Sequence, residues 1–320
     1  MPGFVAHYLL GVSAYHELKD DRLRRLIRSH SHAYALGLEG PDIFFYYLPG
    51  FRIWPNVGAV AHNNKTQEFL LTLLDCHRLF SRPMEQETAF AYAAGFIGHY
   101  TLDTLCHPYI YWKTHYNENT NNELKYFGKH VYLETDIDKE LLYEKKLMLP
   151  SEFKQNRVVS LSSTERRVVA RCLHATYRKV FPEQKLTYAD MYAATLFMPF
   201  GVSVLHDPHG KKKVLTRKAE KHFLGYAYVS PMVPSDTLTF TTDPLNEHHR
   251  QWKNPWDQSI TSTDSFYDLY NHAAAIYLKR LALLAPLTDT SITDTAAADR
   301  QRDLLAAALG NLSYSSGLPL

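Results

Sequence analysis

The sequence predicts an all-α protein, and three observations support that fold class. Apolar residues return at three- and four-residue intervals over much of the 320-residue chain, which is the period of an amphipathic helix. Alternating, strand-like stretches are confined to residues 226–229 and 237–241, and both are short. The composition, with 45% hydrophobic and 21% charged residues, is that of an ordinary globular protein.

Six segments carry the helical period most clearly. They are residues 4–18, 64–80, 86–107, 164–180, 188–198 and 265–283. The third is predicted to end before Pro108, because a proline inside a helix removes a backbone hydrogen bond and clashes with the preceding turn. Residues 313–320 show no period and are predicted to be a frayed tail.

The histidines divide the chain near residue 150, since ten of the 17 lie before that position. We therefore expect a metal-binding helical core over residues 1–150. Residues 151–320 are expected to add further helices that pack on the same core, as a helical C-terminal elaboration. A chain of this length can bury a core of that size.

Charge and cysteine content restrict the partners and the compartment. The formal net charge of +2 is too small to indicate a specific nucleic-acid-binding protein. Cys76, Cys106 and Cys172 are too few for a disulfide framework. The first residues lack the features of a secretory signal, and no apolar run of about 18 residues spans a membrane. We expect a cytoplasmic protein with no transmembrane segment, and the oligomeric state stays open.

The most informative segment is the apolar stretch that leads into His99, Asp103 and His107. The spacing i, i+4 and i+8 puts these three side chains within an arc of about 80° on one helix face. A carboxylate in such a buried helix needs a partner, because an unpaired buried charge is costly. Two imidazoles and a carboxylate suit zinc. The alternative is a buried His–Asp hydrogen bond, with His107 as a cation that the helix end favours.

A second pair, His130 and Glu134, lies at i and i+4 about 30 residues further on. This spacing lets both side chains share an ion, although the pair alone also fits a solvent-facing His–Glu contact. His7, Asp42 and His62 are single candidates in apolar or turn contexts. Each alone also fits a core or capping residue, and Asp42 in particular suits a helix cap.

The order of these motifs resembles the zinc-dependent phospholipase C family. The elements that carry the resemblance are His7, Pro41-Asp42, His62, His99-x3-Asp103, His107-Pro108 and His130-x3-Glu134. A later segment, Trp252-Lys-Asn-Pro-Trp256, also resembles one found in intracellular members. The combined order is more specific than any single element.

The resemblance implies a multi-helix phospholipase C-like bundle with two, possibly three, Zn²⁺ ions. It implies one ion held by Asp42, His62, His99 and Asp103. It implies a second ion held by His107, His130 and Glu134. His7 would contribute to a third ion with Asp103 as a bridge, and Asp42 is also a candidate catalytic base. The implied activity is phosphodiesterase hydrolysis of a phosphoester or phospholipid-like small substrate by a metal-activated water.

Two departures from the secreted relatives concern the second and third ions. Those enzymes bind the third metal through an N-terminal tryptophan, whereas this chain begins Met1-Pro2. The Pro2 amine would be the substitute if Met1 were removed. His107 follows Asp103 by four positions, where the secreted enzymes have six.

Two alternative functions are a non-catalytic metal-binding scaffold and a helical phosphohydrolase of the class with adjacent His and Asp. The only such doublet, His206-Asp207, lies beside Pro208 and is predicted to be in a loop. The aromatic run from Ile43 to Trp54 is interpreted as core packing rather than as the lining of a cleft. The basic stretch 211–221 is interpreted as a solvated surface rather than as an attractor of anionic substrate.

Overall fold

The computed structural model describes residues 3–47, 56–117, 123–289 and 295–320, and these ranges are mostly helical. The α-helices are α1 (Phe4–Glu17), α2 (Asp21–Ser29), α3 (Ser31–Leu38), α4 (Val57–Asn63), α5 (Thr66–Asp75), α6 (Pro83–Lys113), α7 (Glu123–Lys146), α8 (Gln155–Val159), α9 (Ser163–Val180), α10 (Tyr188–Leu205), α11 (Lys211–Phe223), α12 (Phe266–Leu284) and α13 (Thr295–Leu309). Short 3-10 helices cover Gly40–Phe45, Cys76–Leu79, Pro182–Gln184, Ser230–Met232 and Ala285–Thr288. Within the described ranges the strands are β1 (Trp252–Lys253) and β2 (Thr261–Ser262), which pair antiparallel. The all-α prediction is confirmed.

Helix α6 forms the centre of the bundle. It is buried over most of its length, and α3, α9 and α12 pack along it. A helix that is apolar on nearly every side is expected to be surrounded by other elements. The hydroxyl of Tyr277 on α12 donates to the carbonyl of Ala94 at 2.8 Å, which ties the C-terminal part of the chain to this central helix.

Two glycines allow α3 and α6 to approach very closely. A side chain at Gly37 would clash with the carbonyl of Tyr92, and one at Gly95 would clash with the carbonyl of Tyr34. The backbones of the two helices are therefore in direct contact. This contact positions the turn that follows α3 next to the middle of α6.

One buried core includes residues from both parts of the chain, for example Leu10, Phe96, Leu173 and Leu281. The helices after residue 150 therefore contact the same core as the earlier ones. The division of the chain at residue 150 itself stays a proposal.

Each of the six predicted helical segments contains a helix, with ends that differ by up to seven residues. Pro108 is the main correction, because it lies inside α6 and does not end it. His107 is therefore in the helix interior rather than in the last turn. A proline removes only the bond that its own N–H would give to Thr104. A side chain at Gly317 would clash with the freed carbonyl of Thr104, so the C-terminal segment packs directly against it.

Neither of the strand-like stretches, 226–229 and 237–241, forms a strand, and both segments are irregular. Buried carboxylates capture the backbone N–H groups that a strand would need. Glu220 accepts from the N–H groups of Tyr228 and Ser230. Asp136 accepts from those of Phe240 and Thr241 at 2.9 and 2.8 Å.

The C-terminal segment is not a frayed tail. Tyr314 is 1% exposed, and its N–H donates to the carbonyl of His62 at 3.0 Å. The C-terminal segment therefore contributes Tyr314 to the core around the candidate site. None of the helices in the described ranges is long and apolar enough to cross a membrane.

Candidate metal centre

Five elements bring the eight predicted residues into one buried region. Helix α1 carries His7, the 3-10 helix after α3 carries Asp42, and α4 carries His62. The central helix α6 and the neighbouring α7 supply the remaining five. Those five are His99, Asp103, His107, His130 and Glu134. All eight are 6% exposed or less.

Asp103 lies at the centre of the first part of this region. Its carboxylate oxygens are 3.0 Å from His99 Nε2, 3.2 Å from His7 Nε2 and 3.5 Å from His62 Nε2. His62 Nε2 is also 3.3 Å from Asp42 Oδ1. Two sets of possible ligand atoms result, each with its atoms within 4.8 Å of one another: His7, His99 and Asp103 form one, and Asp42, His62 and His99 the other.

His107, His130 and Glu134 form a third such set. Glu134 Oε1 is 2.6 Å from His130 Nε2 and 3.8 Å from His107 Nε2. This set connects α6 with α7. It contains the three residues for which the resemblance implies a second ion, and the continuation of α6 past Pro108 sets the direction of the His107 side chain.

Hydrogen bonds on the opposite ring nitrogen orient four of the imidazoles. His62 Nδ1 donates to the carbonyl of Gly58 at 2.7 Å, and His99 Nδ1 donates to that of Leu38 at 3.0 Å. His107 Nδ1 donates to the carbonyl of Tyr314 at 2.8 Å. The hydroxyl of Tyr126 is hydrogen-bonded to His130 Nδ1 at 3.2 Å. A carbonyl on Nδ1 fixes the tautomer and leaves Nε2 as a lone-pair donor, which is how metal-binding histidines are usually held.

Gly40 allows the turn with Asp42 to lie against His99. Its φ is +51°, and a Cβ at this position would clash with the His99 ring. Glycine adopts this left-handed conformation without a steric penalty. The glycine in the sequence Gly40-Pro41-Asp42 is therefore required by the close approach of the turn to α6.

Opposing electrostatic effects act in the region. Burial lowers the pKa of His7 to about 4, whereas for His62 the carboxylates of Asp103 and Asp42 outweigh burial and raise the pKa to about 9. Burial works against ionisation of Asp103, but His107 and His99 hold the pKa of this carboxyl well below its usual range. Buried carboxylates thus face buried imidazoles, and one of these, His62, favours its protonated form.

The residues fit zinc. Both carboxylate oxygens of Asp103, Asp42 Oδ1 and the Nε2 atoms of His99 and His107 are buried without a hydrogen bond of acceptable geometry. Such atoms are costly to bury unless something satisfies them. Imidazole nitrogens and carboxylate oxygens are zinc ligands, so cations held in these separate sets would satisfy the atoms.

A cavity of about 50 Å³ opens beside Glu134 and is also lined by Glu39, Tyr46 and Asp138. Glu39 is 3% exposed, and its Oε1 has no hydrogen bond. Burial, followed by the nearby Asp42, raises the pKa of Glu39 well above its usual range. Glu39 is not among the residues predicted from the sequence, although a carboxylate between an apolar helix and Gly40-Pro41 was a possible signal.

Asp138 and Tyr314 support the centre and were also missed. The Asp138 carboxylate accepts from the N–H groups of Val5 and Ala6, each at 2.9 Å, and so caps the helix that carries His7. Tyr314 holds His107 through its carbonyl. Both contacts join residues more than 130 positions apart, so local sequence pattern did not reveal them.

The remaining sequence candidates lie elsewhere. His206 and Asp207 are in the connection between α10 and α11, as predicted, and Asp207 accepts from the N–H groups of Lys211 and Lys213. In the aromatic run, Ile43 and Phe44 are core residues, whereas residues 48–54 lie outside the described residues. The proposed Pro2 amine lies outside them as well.

A helical bundle that buries three sets of imidazole and carboxylate ligands defines a class of metal-dependent helical protein. Among protein-family models, the one described as zinc dependent phospholipase C matches residues 6–186. This is more than half of the chain and includes all eight candidate residues, so the chain belongs to the zinc-dependent phospholipase C family. No curated protein and no solved structure matches the chain.

Proposed function

We propose that the chain is a zinc-dependent phosphodiesterase of the phospholipase C type, acting on a phosphoester or phospholipid-like substrate. The observation that carries the proposal is the fully buried Asp103 carboxylate, which three imidazole Nε2 atoms approach within 3.5 Å. Membership in a family of zinc-dependent phospholipases C supports the same reaction class. When bound, zinc supplies Lewis acidity, which neutralises phosphoryl oxygens and makes water a nucleophile near neutral pH.

The ligand roles of the eight residues are part of this proposal. His7, His62, His99, Asp42 and Asp103 would hold one ion or two. His107, His130 and Glu134 would hold another. The carbonyls that accept from His62, His99 and His107 keep these rings oriented. The chain's task is then to hold charge in fixed positions with no reorganisation during the reaction.

Asp42 has two possible roles that differ in a measurable way. Its Oδ1 is buried, has no hydrogen bond and lies 3.3 Å from His62 Nε2. As a ligand it would contribute to zinc affinity, whereas as a general base it would accept a proton from the attacking water. The variant Asp42→Asn separates the two, because loss of zinc indicates a ligand, and retained zinc with lost turnover indicates a base.

The cavity beside Glu134 favours a catalytic centre over a structural one. Structural zinc sites are closed, while catalytic sites keep a position open to substrate or water. A volume of about 50 Å³ is enough for water. A non-catalytic scaffold would not need such an opening next to the ligand set.

Hydrolysis tests the proposal directly. The zinc-loaded chain should cleave a chromogenic phosphodiester and a short-chain phosphatidylcholine. A chelator should abolish this turnover, and added zinc should restore it. Full zinc content without turnover on either substrate would contradict the phosphodiesterase proposal and favour the scaffold.

A cytoplasmic setting belongs to the same proposal. Cys76, Cys106 and Cys172 are free and buried, and free thiols persist in reducing compartments. Counting the thiols in denaturant, after extraction under non-reducing conditions, would test this, because the folded protein buries them. Oxidised cysteines in the native protein would argue against the cytoplasm.

A further inference from the structure

We infer that α10 and α11 form a surface that docks the protein on an anionic lipid bilayer. The inference rests on the proposed function, because the bilayer would be the source of the phospholipid-like substrate. On α10, Leu196, Phe200 and Val204 are exposed at four-residue intervals, so they share one helix face. Phe200 is 63% exposed. An apolar stripe of this kind is unusual on a surface that faces only water.

Helix α11 adds exposed apolar and basic groups together. Its buried face is defined by Lys213 and Glu220, and its opposite face includes Leu215, Lys218 and Lys221. Leu215 is 64% exposed, and Phe223 at the end of the helix is 79% exposed. Helices that bind a membrane interface insert Leu and Phe side chains and keep Lys side chains at the level of the headgroups, and α11 exposes both kinds of side chain.

The charge of this surface is strongly one-sided. Residues 188–224 contain six Lys and Arg residues and three carboxylates, Asp190, Asp207 and Glu220. Asp190 lies in the first turn of α10 and accepts from the hydroxyl of Tyr47. Asp207 and Glu220 are buried and accept backbone N–H groups, Asp207 from Lys211 and Glu220 from Ser230. Negative charge is therefore directed inward, and positive charge from Lys211, Lys218 and Lys221 is directed outward.

The same two helices border the candidate site. Gly201 on α10 packs against the ring of Tyr46, and Tyr46 lines the cavity beside Glu134. On α11, Lys213 Nζ donates to the carbonyl of Val233 at 2.7 Å. The neighbouring Met232 also lines that cavity. A bilayer on the outer faces of α10 and α11 would thus be close to the opening of the site.

A bilayer fits these features better than other occupants. A second copy of the chain would bring two positive surfaces together, which is unfavourable. A nucleic acid would match the lysines but not the exposed Leu196, Phe200, Leu215 and Phe223. An anionic membrane surface matches both, because it attracts Lys and Arg and also accepts apolar side chains.

Vesicle flotation with the full zinc-loaded chain tests the inference. The probes are phosphatidylcholine vesicles with and without phosphatidylserine. The wild type should bind the phosphatidylserine vesicles much more strongly. Replacing Lys211, Lys218 and Lys221 by Gln should weaken that binding roughly a hundredfold. L215S and F223S should each weaken it about tenfold.

A matched triple variant on another face is the control. Arg24, Arg25 and Arg28 on α2 are exposed, and changing them to Gln should leave vesicle binding unchanged. Circular dichroism checks that each variant is folded. If the lysine variant is unstable, L215S and F223S still provide the test, because they replace only exposed side chains.

Three results would overturn the inference. The first is no binding to phosphatidylserine vesicles, and the second is equal weakening by the α2 control. The third is that the wild type forms a dimer or binds an oligonucleotide, and that the α11 variants lose this association but still bind the vesicles. Hydrolysis of a soluble chromogenic phosphodiester by the α11 variants should equal that of the wild type. Failure of the proposed function would instead abolish that hydrolysis in every variant and leave vesicle binding intact.

Discussion

Replacing Asp103 by Asn removes one negative charge from the centre of the site with almost no change in volume. Asp103 is 0% exposed, and its carboxylate lies 3.0 Å from His99 Nε2 and 3.2 Å from His7 Nε2. An ion held by these groups would contact that charge directly. We expect Asp103→Asn to lose this ion, whereas the set formed by His107, His130 and Glu134 should keep its own.

The expected loss of zinc affinity follows from the electrostatic interaction between the Asp103 carboxylate and the ion. Two unit charges 4 Å apart interact by about 4 kcal/mol in a medium with an effective dielectric constant near 20. Loss of that interaction lowers zinc affinity on the order of a thousandfold. A ligand at a thousand times its Kd stabilises a fold by about 4 kcal/mol. In a domain of this size, the zinc-induced rise in Tm should therefore shrink by roughly 10 °C.

Plasma emission measurement of bound zinc, combined with thermal denaturation with and without zinc, is the assay. Asp207→Asn is the matched control, because Asp207 is also buried but accepts only backbone N–H groups of α11. It should keep its zinc and lose about 1 kcal/mol of stability through the weakened cap. If Asp103→Asn binds as much zinc as the wild type and shows the same rise in Tm, the placement of Asp103 at the centre is wrong.

Three further variants test a second metal ligand, the Gly40 turn and a buried lysine. Glu134→Gln should lower the zinc content by one equivalent in metal analysis, because it removes the carboxylate next to His130; unchanged content would exclude Glu134 as a ligand. Gly40→Ala should lower the free energy of unfolding by about 2 kcal/mol in denaturant titrations, since φ is +51° and the methyl group would clash with the His99 ring; a neutral effect would contradict the close approach. Burial lowers the pKa of Lys213 from 10.5 to about 8. Between pH 8 and pH 10.5 the unfolded chain therefore binds more protons than the folded chain, and the free energy of unfolding rises with pH. Relative to Lys213→Met, the wild type should gain up to about 3 kcal/mol across that pH range. Parallel pH profiles for the two proteins would refute this.

Local periodicity was sufficient where the ligands share a helix. His99, Asp103 and His107 on α6, and His130 and Glu134 on α7, follow from the four-residue spacing of a helix face. Asp42 and His62 follow no such rule, because a turn and a separate helix carry them. They became candidates together only through the order of motifs in the resembled family.

At other positions, tertiary packing determined the structure where the local sequence pattern indicated something else or gave no indication. Pro108 is tolerated inside α6 because neighbouring residues such as Tyr109 and Ile110 are fully buried, which stabilises the helix beyond the proline. The hydrogen bond from His107 to Tyr314 spans 207 positions. The C-terminal segment has no periodic pattern that would indicate burial, so its contribution to the site could not be predicted from the local sequence.

The strand-like pattern at 226–229 and 237–241 failed for a different reason. The alternation of side chains was present, but Glu220 and Asp136 take the backbone N–H groups of these segments. A strand forms only where its N–H groups find carbonyl partners on a neighbouring strand. Buried carboxylates from helices α11 and α7 provide the competing partners here.

Zinc X-ray absorption of the metal-loaded protein tests the central claim most directly, because it reports both the metal and its ligand atoms. We predict at least two zinc equivalents, with nitrogen and oxygen ligands at about 2.0–2.1 Å and a clear imidazole contribution. The three buried cysteines should contribute nothing. Sulfur ligands at about 2.3 Å, or less than one equivalent of zinc, would contradict a metal centre built from these histidines and carboxylates.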